Sequence, residues 1–228
     1  MESYMQQSVA AQSADIRGAF IMRTYSHVLG AVLTFVALEV VFFRTSLAGS
    51  ILSVIQGVPW LLVLGAFILV GFLASRAAHT VQSVPMQYLA LGAFVLAYAI
   101  IFVPMLAIAE MKAPGTIQSA ALITLLGFCG LTAVVFVTRK DFSFLRSAIM
   151  FGGVLALLLI VGGIAFGFAL GTFFSIAMVA LASLAVLYDT SNILHHYPED
   201  KHVAAALELF GSIALMFWYV LRLLSSRN

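Results

Sequence analysis

The sequence predicts an all-α integral membrane protein, a bundle of seven transmembrane helices. Three observations predict it. Of 228 residues, 63% are hydrophobic and only 9% are charged, against about half and a quarter in soluble domains. The apolar residues fall into stretches of about the ~20 residues that cross a bilayer. One run, 147–188, contains no Asp, Glu, Lys or Arg. A soluble fold cannot hide this much apolar surface, so lipid is the solvent.

The polar segment 1–24 precedes the first span, and 25–228 form one membrane domain. Residues 1–15 lack the basic-then-apolar order of a signal peptide, so the first apolar stretch is expected to be retained as a span. The stretches are 25–43, 59–75, 87–109, 117–137, 147–188 and 203–224. The run 147–188 would extend ~63 Å as one helix, about twice the ~30 Å hydrocarbon core. It must fold back, and Gly162, Gly163, Gly167 and Gly171 mark where. Six stretches become seven spans, a re-entrant hairpin being the alternative for this one.

Orientation follows from Lys and Arg in the loops. A cytoplasmic N-terminus leaves Arg17, Arg23, Arg76, Arg139, Lys140, Arg146 and Lys201 inside, and Arg44, Lys112, Arg222 and Arg227 outside. The bias favours that arrangement, in the inner membrane of a bacterial cell. The net charge of +2 and the absence of a basic run speak against nucleic acid. Cys129, the single cysteine, excludes an intrachain disulfide.

Ionisable groups inside spans are costly in lipid and need a partner or water. Glu39 lies near the end of the first span, where the plain reading is a carboxylate reaching the interface, toward Arg44. Asp189 and Glu208 flank the short polar hairpin 195–202, each about one and a half turns from a helix end, and so at matched depth. Facing carboxylates in a low-dielectric site cannot both ionise easily, so a pair of them could hold a proton or contact a hard cation such as Ca2+ through oxygen. Separate acids reaching the surface is the alternative. On the last span Glu208, Ser212, Leu215, Tyr219 and Arg222 share one face at ~100° per residue. That stripe is either a face toward protein or a water-filled cavity, or a packing face with a snorkelling arginine. Histidines 79, 195, 196 and 202 read as solvated loop residues, with no metal assigned to them. There is no His-Glu-x-x-His, Gly-x-Ser-x-Gly or phosphate-binding glycine loop, so no enzyme and no cofactor is expected.

The chain resembles the Bax inhibitor-1 family of membrane proteins, in its bacterial branch, related to the transmembrane BAX inhibitor motif-containing proteins. The residues that carry the resemblance are Thr138-Arg139-Lys140-Asp141-Phe142-Ser143-Phe144-Leu145, Leu187-Tyr188-Asp189-Thr190-Ser191-Asn192-Ile193 and the last span from Ala206-Leu207 to Leu221-Arg222-Leu223. Phe20-Ile21-Met22-Arg23-Thr24-Tyr25 fits more loosely. The resemblance implies seven helices with the last one central, and a pH-sensitive passive Ca2+ leak or modulation of a membrane-bound protease or a cell-survival pathway. It implies that Asp189 belongs to a pH-sensing aspartate pair and that Arg76 is its latch in a closed state. It also exposes a departure: the second aspartate of the pair is replaced by Ser212, with Glu208 one turn earlier as the nearest substitute. The proposed ion gate is then Asp189, Glu208, Ser212 and Arg76, with Asp189 and Glu208 as the possible Ca2+ contacts.

Overall fold

In a computed structural model, residues 8–81 and 83–226 are described. Eight α-helices follow one another: α1 Ala14–Arg44, α2 Leu47–Gln56, α3 Trp60–Thr80, α4 Val84–Lys112, α5 Thr116–Thr138, α6 Leu145–Phe166, α7 Thr172–His195 and α8 His202–Ser225. All but α2 are long and apolar enough to cross a membrane.

Several helices outrun their apolar cores. α1 begins at Ala14, capped by the Ser13 side chain accepting from the Ile16 amide and with Asp15 in its first turn. Both features suit a helix N-terminus. At ~1.5 Å per residue α1 is ~46 Å long, so it extends beyond a ~30 Å core. α4 carries Pro85 in its first turn, where the missing amide costs nothing, and Pro104 in its interior, where it removes a helical hydrogen bond.

The apolar run folds back where the glycines allow. α6 stops at Phe166, Gly167 takes a left-handed conformation (φ 74°), and α7 starts at Thr172. A β-carbon at Gly163 would lie 3.1 Å from the Phe168 carbonyl oxygen, so the return strand of the turn presses on a residue without a side chain. With 22 and 24 residues, α6 and α7 are each long enough to span, in place of a re-entrant hairpin. The amphipathic α2 between the first two spans was absent from the sequence expectation.

Burial identifies what holds the bundle together. α8 packs against α1, α3, α4, α5 and α7, and two-thirds of its most apolar window (67%) is inside the protein. The same figure is 11% for α3 and α6, which present Leu62, Leu69, Phe72, Leu158 and Phe151 outward. Small residues of α8 (Ala204, Ala205, Ala206 and Gly211) permit this close approach. A β-carbon at Gly211 would meet the Phe94 ring at 3.3 Å.

Candidate functional site: an acid cluster between helices α3, α7 and α8

The polar stripe of α8 faces the protein. Ser212, 9% exposed, donates from its hydroxyl to Asp189 Oδ2 at 2.5 Å, joining α8 to α7. The residue that replaces an expected carboxylate is therefore the direct partner of the remaining one. Glu208, one turn before, accepts from the Ser75 hydroxyl of α3. Asp189 and Glu208 lie close enough for their charges to act on each other. Tyr25 of α1 lies near Thr190, Thr132 and Asp189, and its buried hydroxyl has no hydrogen-bond partner among the described residues.

His79 borders the cluster: it is exposed, as expected, but it belongs to a helix and not to a loop. It occupies the last turn of α3, with Nδ1 2.9 Å from the Ser75 carbonyl oxygen and 3.7 Å from Glu208 Oε1. A carbonyl only accepts, so Nδ1 carries the proton. In the neutral ring Nε2 then accepts from the Tyr197 hydroxyl, 3.3 Å away. Tyr197 lies in the α7–α8 loop. Burial first, then the charges of Glu208, Asp189 and Tyr188, push its phenol well above the ordinary value, so it stays a hydroxyl.

Arg76 is not part of this arrangement. It is exposed, and among the described residues no ion pair joins it to Asp189. α3 turns Ser75 and His79 toward α8. Glu39 also departs from expectation: it is 7% exposed in α1, and neither carboxylate oxygen has a hydrogen-bond partner among the described residues. It does not reach Arg44.

The two most specific sequence segments meet at the same end of the bundle. The Phe142 amide donates to Ser191 Oγ at 2.8 Å, and Ser191 Oγ donates to Asp141 Oδ1 at 3.4 Å. His196 Nε2 is 3.0 Å from Asp141 Oδ2. The α5–α6 loop is thus pinned to the end of the helix that carries Asp189. The Ser143 amide, donating to Asp141 Oδ1, holds this carboxyl below the usual carboxylate range, with help from the Ser143 and His196 side chains. A depressed pKa stabilises above the unfolded value of about 3.9, and that share is lost as pH falls through the folded value. Ser191→Ala should release the loop, leaving the Phe142 amide without its acceptor. Trypsin cleavage after the exposed Arg139 and Lys140 should then accelerate about threefold to tenfold at neutral pH, for ~1 kcal/mol of lost hydrogen bonding. An unchanged rate would show that the loop is held by other contacts.

On the N-terminal side, the Val9 amide donates to the Tyr197 carbonyl at 2.9 Å, and Ser8 pairs with Pro198. Val9 is fully buried. The segment before α1 therefore packs on the loop that carries Tyr197. Residues 1–7 lie outside the described residues.

Seven long apolar helices with paired polar groups inside them define a multi-pass membrane protein. The chain belongs to the Bax inhibitor-1 family: the family described as "Inhibitor of apoptosis-promoting Bax1" matches residues 17–228. Protein lifeguard 4 of Mus musculus is 27% identical over 229 residues, covering 96% of this chain and 90% of its own. The "Golgi anti-apoptotic protein" of Vaccinia virus (strain Lister) is 25% identical over 227 residues, 97% of this chain and 91% of its own. The "Modulator of FtsH protease YccA" of Escherichia coli (strain K12) is 35% identical over 102 residues, 44% of this chain and 46% of its own.

Proposed function

We propose that this protein is a pH-responsive passive leak for cations, with Ca2+ as cargo, in the inner membrane with its N-terminus in the cytoplasm. The observation that carries the reading is the joining of α7 to α8 through Ser212 and Asp189, beside a second acid whose nearest base is a histidine. Two carboxylates offer oxygen ligands to a hard cation. Ca2+ is proposed as cargo in transit and not as a resident ion.

The switch follows from hydrogen-bond strength. A bond to an ionised acceptor contributes about 1.5–3 kcal/mol, and a neutral one about 0.5–1.5. Protonating Asp189 weakens the α7–α8 contact by ~1 kcal/mol, which moves a closed–open equilibrium about fivefold toward open. A doubly protonated His79 ring would offer donors at both of its nitrogens. Glu208 would then hold a true ion pair, and Tyr197 would have to accept. The groups facing Asp189 and Glu208 are thus Tyr25, Ser75, His79, Tyr98, Tyr197 and Ser212.

The test is Ca2+ flux from proteoliposomes between about pH 5 and 8. Flux should rise about fivefold or more toward acid pH. Vesicles that hold their Ca2+ equally with and without protein at every pH would remove this reading.

A second reading is modulation of a membrane-bound protease without conduction. The similarity to the modulator of FtsH protease favours it, as does the packing of Val9 on the Tyr197 loop, which offers a partner one surface built from both segments. Crosslinking in bacterial membranes that recovers a membrane protease, together with vesicles that do not leak, would establish this reading over the first.

A further inference from the structure

A cavity of about 460 Å3 opens between α3, α4 and α6, with α8 as its floor, from Tyr98 to Arg222. Its walls are apolar and aromatic, including Trp60, Phe67 and Trp218. Its one charged lining residue is Arg222. α3 and α6 have the smallest buried shares of the seven long helices, 11% each, so the cavity is flanked by surfaces suited to lipid.

Arg222 is only partly partnered within the protein. One guanidinium nitrogen donates to the Leu170 carbonyl at 2.7 Å, in the α6–α7 turn, and the group lies 5.8 Å from the centre of the Phe174 ring. A guanidinium has five N–H donors. Among the described residues no Asp or Glu pairs with it. An unneutralised cation in lipid seeks an anion. Arg222 is in the last turn of α8, level with the α6–α7 turn and with Trp60 at the start of α3. Tryptophans and arginines at helix ends mark headgroup depth.

We infer that this cavity binds one anionic phospholipid of the surrounding leaflet, its phosphate on Arg222 and an acyl chain between α3 and α6. Charge complementarity selects the headgroup, and the apolar walls accept the chain. The site is separate from the acid cluster and does not depend on whether the protein conducts.

The chain supplies its own reporters, because Trp60 and Trp218 are its only two tryptophans and both line the cavity. The protein is reconstituted in phosphatidylcholine vesicles containing a minor fraction of either brominated phosphatidylglycerol or brominated phosphatidylcholine. Per brominated lipid, phosphatidylglycerol should quench tryptophan emission about fivefold more strongly, the attraction of one cation for an anionic surface. Unbrominated phosphatidylglycerol should restore emission, and phosphatidylcholine should not. Arg222→Gln should lower quenching to the phosphatidylcholine level, while Arg222→Lys keeps part of the preference. Equal quenching by the two lipids in the wild-type protein, or a preference untouched in Arg222→Gln, would overturn the site. Recovery by oleate but not by phosphatidylglycerol would overturn the phospholipid as its occupant. The wild-type competition decides the matter even where a variant does not fold.

Discussion

Asp189→Asn should give a protein whose Ca2+ flux no longer depends on pH and stays near the acid level of the wild type. Asparagine keeps the shape of the side chain, and its carbonyl oxygen still accepts from Ser212, so α7 and α8 remain joined by a neutral bond. What disappears is the charge, together with the extra ~1 kcal/mol that a charge-assisted bond supplies. At neutral pH the variant should therefore leak about fivefold faster than wild type, and the two should converge toward pH 5. Ser212→Ala separates the contribution of the hydroxyl from that of the acid. It leaves Asp189 without its donor and should loosen the helices in the same direction, but with the pH response reduced and not abolished. Glu208→Gln tests the other acid. It removes the group that His79 approaches, while Ser75 can still bond to the amide oxygen. If Asp189→Asn retained the full pH response, the acid between α7 and α8 would not be the sensor, and His79 with Glu208 would be the next group to examine.

The sequence carried the helices because each is written along the chain. Apolar length and the four glycines marked both spans of the run 147–188, and the turn falls at Gly167 to Gly171. The stripe of α8 was equally legible, since a 3.6-residue period aligns Glu208, Ser212 and Arg222 on any helix. What each of them faces depends on the rotation of a neighbouring helix, which no spacing within α8 records. Ser75 and Arg76 are adjacent, yet α3 turns the serine toward Glu208 and leaves the arginine exposed. His79 belongs to the same face as Ser75 because it is four residues later, so the helical period would have found it once Ser75 was known. The short α2 escaped because ten residues are too few for a span and its apolar positions do not form a continuous run. Glu39 was misjudged because position along a helix does not say which way a residue faces: α1 ends at Arg44, little more than a turn on, yet it buries this residue.

Tyr98→Ala should produce a leak at every pH, by removing the ring that stands between the acid cluster and the Arg222 cavity. Tyr98 lines that cavity, and its hydroxyl lies next to Gly211, where an added β-carbon would meet it at 3.6 Å. It is also close enough to Glu208 to feel its charge. Edge-on contacts fix the ring in place, with centroids 4.8 Å from Phe67, 4.9 Å from Phe94 and 5.5 Å from Phe210. A cation passing from the acid cluster into the cavity would have to cross these rings and leave all its oxygen ligands. Truncation to alanine deletes the shared wall and joins the two spaces. In vesicles of uncharged lipid, basal Ca2+ flux should rise at least tenfold, and it should still increase toward acid pH, because Asp189 and Ser212 are untouched. Aromatic-to-alanine changes in packed interiors cost about 3–5 kcal/mol, so Tyr98→Leu offers a smaller hole in a more stable protein. Tyr98→Phe is the decisive comparison. It keeps the ring and loses only the hydroxyl, and flux should stay at the wild-type level if the barrier is steric and apolar. A leak as large in Tyr98→Phe as in Tyr98→Ala would make the hydroxyl beside Glu208, and not the ring, the element that holds the path shut.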